Sequence, residues 1–336
     1  MTPTDQQLIA RTLDRAEFPA ASNLRRIGID RGFNSRIHRF DCGTEDLVAK
    51  VGTDPSRFPH NTREIDVLEH FGPRCTLPAP RHRAHLIDEK HGHAVLVMNH
   101  VEAHEPDTEK GIDLRTLDLA IGSMSGCRNT RPSHAPTLPR PLPSWGIGTQ
   151  GTPTPHRRRV ERFRRRSRNH LEHFTTDTDS ARRSIELVKW LDANLEACLT
   201  ESARWPRTLI HGDLHPENML ISDDGVIVLD WQTTSWGPPI MDLMRLVLDG
   251  IPSIPLPQLE ERILNLSRIA RELACDDQQA LRRSAIAAAI THAGFISGWG
   301  GRPLSTLTNR EKAIVQHHAS PMGPGRLVHE LLSTHW

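Results

Sequence analysis

The chain has 336 residues, enough for one large domain or two lobes with a substantial core. Its 42 basic and 41 acidic residues leave a formal net charge of +1, which argues against a chain-wide nucleic-acid or membrane role. The hydrophobic fraction of 37% is low but above that of a disordered chain, so a packed fold is expected.

Cys42, Cys75, Cys127, Cys198 and Cys275 are scattered, with no Cys-x-x-Cys pair, so neither a disulfide framework nor a zinc site is expected. The first residues are polar and carry no signal-peptide core. The longest apolar stretch, Ala285 to Trp299, is broken by His292 and glycines and is too short to span a bilayer. A soluble, cytoplasmic protein is the expectation.

A short helix is predicted near residues 4–18. Apolar runs between Gly and Asp turns predict strands over Leu24–Ile29, Arg36–Phe40 and Leu47–Val51. Asn61–Phe71 reads as a helix with Ile65, Leu68 and Phe71 on one face, and Ala94–Met98 as a further strand. Gly111–Cys127 is the next candidate helix. Residues 128–156 are rich in Pro, Ser, Thr and Gly and read as a long loop. Helices are predicted over Arg157–Phe174, Ser180–Leu199, Met241–Leu248, Gln258–Leu273, Asp277–Phe295 and Arg326–Ser333, with a β-like patch over 208–230 between them. The pattern divides into a β-rich lobe over residues 1–101 and a mainly helical lobe over 102–336.

The β-like patch carries the richest chemistry. Met219–Ser222 and Val226–Leu229 are apolar runs separated by Asp223-Asp224-Gly225, a hairpin signal. If Ser222 pairs with Val226, Asn218 stands opposite Asp230, and directly opposed residues are only ~4.5–5.5 Å apart at Cα. One amide oxygen and one carboxylate then meet at the open end of the hairpin. A few hard oxygen ligands suit Mg²⁺ held jointly with substrate phosphates. Asp213 lies five residues before Asn218, in a stretch where Pro216 disfavours a continuing helix. A carboxylate on that loop could take the proton of an attacking hydroxyl and orient it for in-line transfer.

The run His211-Gly212-Asp213-Leu214-His215-Pro216-Glu217-Asn218 resembles the catalytic loop of the aminoglycoside phosphotransferase and choline kinase-like family. Leu229-Asp230-Trp231-Gln232, followed by Gly237-Pro238-Pro239 and Asp242-Leu243, is similar to that family's metal-binding aspartate and the helix after it. The resemblance runs from about Leu24 to about Leu248. It implies an α+β, bilobal protein kinase-like fold and an ATP- and Mg²⁺-dependent transfer of phosphate to a small-molecule hydroxyl. It implies Asp213 as catalytic base, Asn218 and Asp230 as Mg²⁺ ligands, and a supporting role for Asp242. A protein kinase is the nearest rival, but Asp230 is followed by Trp231-Gln232 rather than Phe-Gly, and no Ala-Pro-Glu segment follows. A nucleotide-binding protein without catalysis is the second, and the joint presence of Lys50, Asp213, Asn218 and Asp230 argues against it.

A site of this kind also needs a loop over the phosphates, a strand lysine and an acid to hold it. Arg31-Gly32-Phe33-Asn34-Ser35 lies between two predicted strands and can cover ATP through Gly32, Phe33, Asn34 and Ser35; it has one glycine where the family often has two. Lys50 ends an apolar strand, from which an ammonium can reach the α- and β-phosphates. Glu64 is placed to pair with it. The alternatives are a capping box begun by Asn61, or Asp66 or Glu69 as the partner. Leu96-Val97-Met98-Asn99-His100-Val101 resembles the strand into the interlobe hinge, where adenine would bond backbone groups of Met98, Asn99, His100 and Val101.

The arginine-rich stretch over 156–166 could bind an acidic substrate or nucleic acid, but such a run is more often a solvated helix face. The acceptor stays open between an aminoglycoside-type antibiotic and a small metabolite: arginines near 157–168 oppose a polycation, whereas Glu102, Glu105, Asp107 and Glu109 favour one. No nucleic-acid or membrane partner is expected. The 128–156 loop has two readings, an inert linker or a lid over the acceptor whose shortening would spare the KM for ATP.

Overall fold

In the computed structural model, residues 3–27, 35–106, 112–144, 207–223, 225–239, 241–243 and 245–246 are described, with position 193 alone between them. The chain divides into two compact units. One comprises residues 1–105, 122–142 and 218–234, the other 106–121, 143–217 and 235–336.

The first unit begins with α1 (Asp5–Arg15), started by a capping box in which Thr4 and Gln7 exchange backbone and side-chain hydrogen bonds. β1 (Ser22–Ile27), β2 (Arg36–Cys42), β3 (Glu45–Gly52), β4 (His82–Asp88) and β5 (His93–Asn99) form an antiparallel sheet in the order β1-β2-β3-β5-β4. Strand alternation turns Leu47, Ala49 and Val51 of β3 into one core with Leu8, Ile9 and Leu13 of α1. The same alternation sends Lys50 to the opposite face, in register with Ile37 and Leu96. There lies α2 (Phe58–His70), which starts a turn earlier than its apolar periodicity suggested, with Pro59 in the first turn where a missing N–H costs nothing. A Cβ on Gly52 would sit 2.1 Å from Asn61 Nδ2, so glycine is what lets the end of β3 approach α2.

The predicted helix over 111–127 is split at Met124 into α3 (Leu114–Ser123) and α4 (Ser125–Asn129). A 3₁₀ turn at Pro132–His134 follows within the predicted loop. In the first unit, β7 (Met219–Ser222) and β8 (Gly225–Val228) form the hairpin. In the second, β6 (Thr208–Ile210) pairs with β9 (Ser235–Gly237), and residues 241–243 and 245–246 are helical. Strands β4 and β9 have no counterpart in the sequence reading. β4 carries two histidines and an arginine among its alternating residues, and β9 is three residues ahead of Pro238. The helices predicted over 157–174, 258–273, 277–295 and 326–333 lie outside the described residues. Position 193, within the helix predicted over 180–199, is helical.

Candidate active site

Three ionisable side chains meet in the first unit. Lys50 Nζ donates to Glu64 Oε2 at 2.7 Å and also pairs with Asp230 Oδ1. Glu64 therefore meets the lysine, while Asp66 on the same helix bonds Arg140 instead. Asn61 lies inside α2 rather than at its cap, which removes the capping-box alternative for Glu64. The second oxygen of Glu64 accepts the backbone N–H of Trp231 at 3.2 Å. One carboxylate thus ties β3, α2 and the turn after β8 together. Burial alone would lower the lysine's affinity for its proton, but the Asp230 and Glu64 charges outweigh it and hold Lys50 as ammonium. Burial, with Asp230 nearby, pushes Glu64 above the usual carboxylate range against the pull of Lys50.

The hairpin register differs by one residue from the expected one. Ser222 pairs with Gly225 and Met219 with Val228, so the turn holds two residues rather than three. Gly225 takes φ +145°, and a Cβ there would lie 2.9 Å from Ser123 Oγ, which accepts the Val226 N–H at 3.0 Å. Asn218 consequently faces Leu229, whose N–H donates to the Asn218 carbonyl at 2.8 Å. Asp230 falls one step beyond. It adopts the left-handed conformation, φ 64° and ψ 56°, which aspartate tolerates better than most residues. That residue turns the chain out of β8 into the Trp231–Thr233 turn, and Gln232 Nε2 donates to Asp230 Oδ2 at 2.7 Å. Trp231 is fully buried, and its indole donates to the Val228 carbonyl at 2.8 Å.

The loop bearing Asp213 belongs to the second unit. Asp242, nearly fully buried, accepts the backbone N–H groups of His211 at 2.8 Å and Gly212 at 2.7 Å. Burial pushes its carboxyl up to about 7, against the opposing pull of those two bonds. The Asp213 N–H donates to His211 Nδ1 at 3.3 Å. Arg245 Nε donates to Asp213 Oδ1 at 3.1 Å, and His215 Nε2 lies 3.7 Å from Oδ2. Burial would raise Asp213, but the Arg245 charge, with His215 and His211, holds it well below the usual carboxylate range. Sequence reasoning missed Arg245. Its signal is the spacing of three from Asp242 in a helical stretch, which puts both on one face.

Of the predicted phosphate loop, Gly32, Phe33 and Asn34 lie outside the described residues. Ser35 Oγ donates to Asn61 Oδ1 at 3.2 Å. In the predicted hinge, Met98 pairs with Val48 and His82. The Asn99 N–H donates to the Arg81 carbonyl at 3.1 Å, and the His100 N–H to the Asp46 carbonyl at 3.0 Å. Glu102 and Glu105 are described, whereas Asp107, Glu109 and the arginine-rich stretch over 156–166 are not.

A family model described as "APH: Phosphotransferase enzyme family" matches residues 26–274. No curated protein sequence matches the chain. Among solved structures, the chain is similar to the GDP and kanamycin complex of APH(2")-IIia at 12% identity, covering 98% of each chain with a TM-score of 0.58. It is similar to spectinomycin phosphotransferase APH(9)-Ia in complex with ADP and spectinomycin, at 14% identity over 98% of this chain and 100% of that one, with a TM-score of 0.55. It is also similar to choline kinase from Cryptosporidium parvum Iowa II, at 9% identity over 92% of this chain and 88% of that one, with a TM-score of 0.53. At such identities the likeness speaks for the fold. The α+β, bilobal protein kinase-like fold expected from the sequence is the fold observed.

Proposed function

The chain belongs to the APH phosphotransferase enzyme family and is an ATP-dependent small-molecule kinase with a hydroxyl acceptor, and on that premise we propose how its residues divide the reaction. The observation that carries the reading is Lys50, half-buried and held between Glu64 and Asp230.

Lys50 binds the α- and β-phosphates, and Glu64 fixes its position. Gly32, Phe33, Asn34 and Ser35 cover the phosphates. The backbone of Met98, Asn99, His100 and Val101 takes the adenine. Asn218 and Asp230 offer the oxygen-only donors that fit Mg²⁺. When bound there, the metal offsets charge on the phosphate oxygens. Asp213 orients the acceptor hydroxyl. As the acceptor oxygen bonds to the γ-phosphorus, the bond from that phosphorus to the β–γ bridging oxygen breaks. ADP leaves with the electron pair, and the hydroxyl proton passes to Asp213 and then to solvent. In this reading residues 1–101 supply most nucleotide contacts, while residues 102–336 supply the catalytic loop, the metal ligands and the acceptor pocket. The enzyme works in the cytoplasm, where the nucleotide is available.

The acceptor is an aminoglycoside-type antibiotic or a small hydroxylated metabolite. Kanamycin and spectinomycin accompany two of the similar structures, and a third is a choline kinase. The test is a phosphotransfer screen with Mg·ATP and Mg·GTP against kanamycin, hygromycin B, spectinomycin, choline and simple sugars, read by ADP or GDP release and product mass. A folded chain that binds Mg·ATP yet phosphorylates none of them would sink this acceptor class.

A further inference from the structure

One helical stretch acts twice on the loop that carries Asp213. Asp242 accepts the N–H groups of His211 and Gly212 and so fixes the loop's backbone. Arg245, on the same face, reaches the loop's functional side chain through the Nε–Oδ1 bond at 3.1 Å. The Arg245 side chain is 8% exposed and that of Asp213 25% exposed, so the guanidinium sits away from bulk water while the carboxylate keeps an open side. A buried guanidinium is costly unless it is matched by a carboxylate, and here the match is the proposed base itself.

Resting on the reading of Asp213 as the base, we propose that Arg245 is the positioning residue that keeps its carboxylate ionised and turned. Oδ1 is bound to Arg245, and Oδ2 receives the hydroxyl proton. Among the described residues, charged and titratable groups facing Asp213 include Arg245 from the helical stretch and His211 and His215 from the loop, with Asp242 behind the loop backbone. Burial raises the Asp213 carboxyl, and Arg245 is the largest influence opposing it. A carboxylate held this acidic is a weak base. That suits a loose phosphoryl-transfer transition state, in which orienting the hydroxyl counts for more than early proton removal. Lysine at this position would keep the charge but lose the fixed plane of the guanidinium.

The test follows the ¹³Cγ signal of Asp213 in the full chain, identified by its loss in Asp213→Asn. Between about pH 8 and about pH 4 the signal should stay flat in the parent chain. In Arg245→Met it should titrate with a midpoint at or above the ordinary value of about 4. In Arg245→Lys it should stay flat while kcat falls roughly ten- to a hundredfold with little change in KM for ATP. Arg245→Gln serves where Arg245→Met does not fold. A folded Arg245→Met or Arg245→Gln whose Asp213 signal stays flat overturns the inference. Phosphoryl transfer from Mg·ATP to kanamycin, spectinomycin and choline, measured in parallel, separates it from the parent reading. Near-normal transfer in Asp213→Asn overturns Asp213 as the base. An inactive Asp213→Asn beside an Arg245→Met with unchanged kcat and Asp213 titration overturns Arg245 alone.

Discussion

Arg140 holds Asp66: its Nη1 lies 3.1 Å from both carboxylate oxygens. Asp66 is two residues from Glu64 on α2 and almost fully buried. The helix is therefore fixed from two directions, by Lys50 at Glu64 and by the 130–142 segment at Asp66. Burial pushes the Asp66 carboxyl above its usual range, and Arg140 opposes that shift.

This changes what the proline-rich segment is expected to do. One of its two readings from the sequence is a lid over the acceptor whose shortening would spare the KM for ATP, the other an inert linker. Arg140 ties it to the helix that carries the lysine's partner. Arg140→Ala should leave a buried carboxylate short of its cation, lower stability by roughly 1–3 kcal/mol and weaken ATP binding. Its other partner, Glu89, is 76% exposed, so Glu89→Ala should be near neutral. Thermal denaturation and ATP titration of the two variants decide this. Unchanged ATP affinity in a destabilised Arg140→Ala would confine the bond to a structural role.

Asp213→Ala should cost ~10²–10⁴ in turnover and leave nucleotide affinity nearly unchanged. It also strips the buried Arg245 of a carboxylate, so its melting temperature should fall. Asp213→Asn keeps the volume and an oxygen for Arg245, and should lose turnover with less loss of stability. Turnover, nucleotide affinity and thermal unfolding of the two variants check this. Near-normal turnover in either variant would refute the assignment of the base.

The sheet and α2 were legible because their apolar periods are regular: Leu47, Ala49 and Val51 alternate, and Ile65 and Leu68 share a helix face. The same regularity placed Lys50 opposite the α1 core. The hairpin strands were legible, but their register was not. A two-residue and a three-residue turn use the same Asp223-Asp224-Gly225 letters, and the choice rests on Ser123, about a hundred residues upstream in sequence, accepting the Val226 N–H. The left-handed turn at Asp230 is likewise invisible in a pattern of apolar residues. Arg140 was missed because a long-range ion pair leaves no local period, and Arg245 leaves only its spacing from Asp242.

Asp242 gives a pH signature. Burial pushes its carboxyl up to about 7 in the folded chain, above the ordinary value of 3.8. The folded state thus holds a proton that the unfolded state releases in this window. Stability from this group is full below about pH 4 and declines as pH rises towards 7, by at most about 4 kcal/mol. Asp242→Asn should remove that slope. It should also lower stability throughout, because the His211 and Gly212 N–H groups use two different oxygens and an amide replaces one of them with a donor. Melting temperatures of the two proteins across this range check it. Parallel pH profiles would mean that Asp242 is ionised throughout.

Asp230→Asn tests the metal assignment. Among the described residues, Asp230 bonds Lys50 and Gln232 Nε2. An asparagine keeps an oxygen for Lys50 but removes the charge that a divalent cation needs. Lys50 keeps Glu64, whose 2.7 Å bond does not involve Asp230, so the strand lysine should still meet nucleotide phosphates. The gain in ATP affinity that Mg²⁺ confers should therefore fall by about 1.5–3 kcal/mol, roughly ten- to a hundredfold, while metal-free affinity changes little. Titrating ATP with and without Mg²⁺ against both chains measures the difference directly. Equal losses in the two titrations would make Asp230 an anchor for Lys50 and the left-handed turn, with the metal held elsewhere.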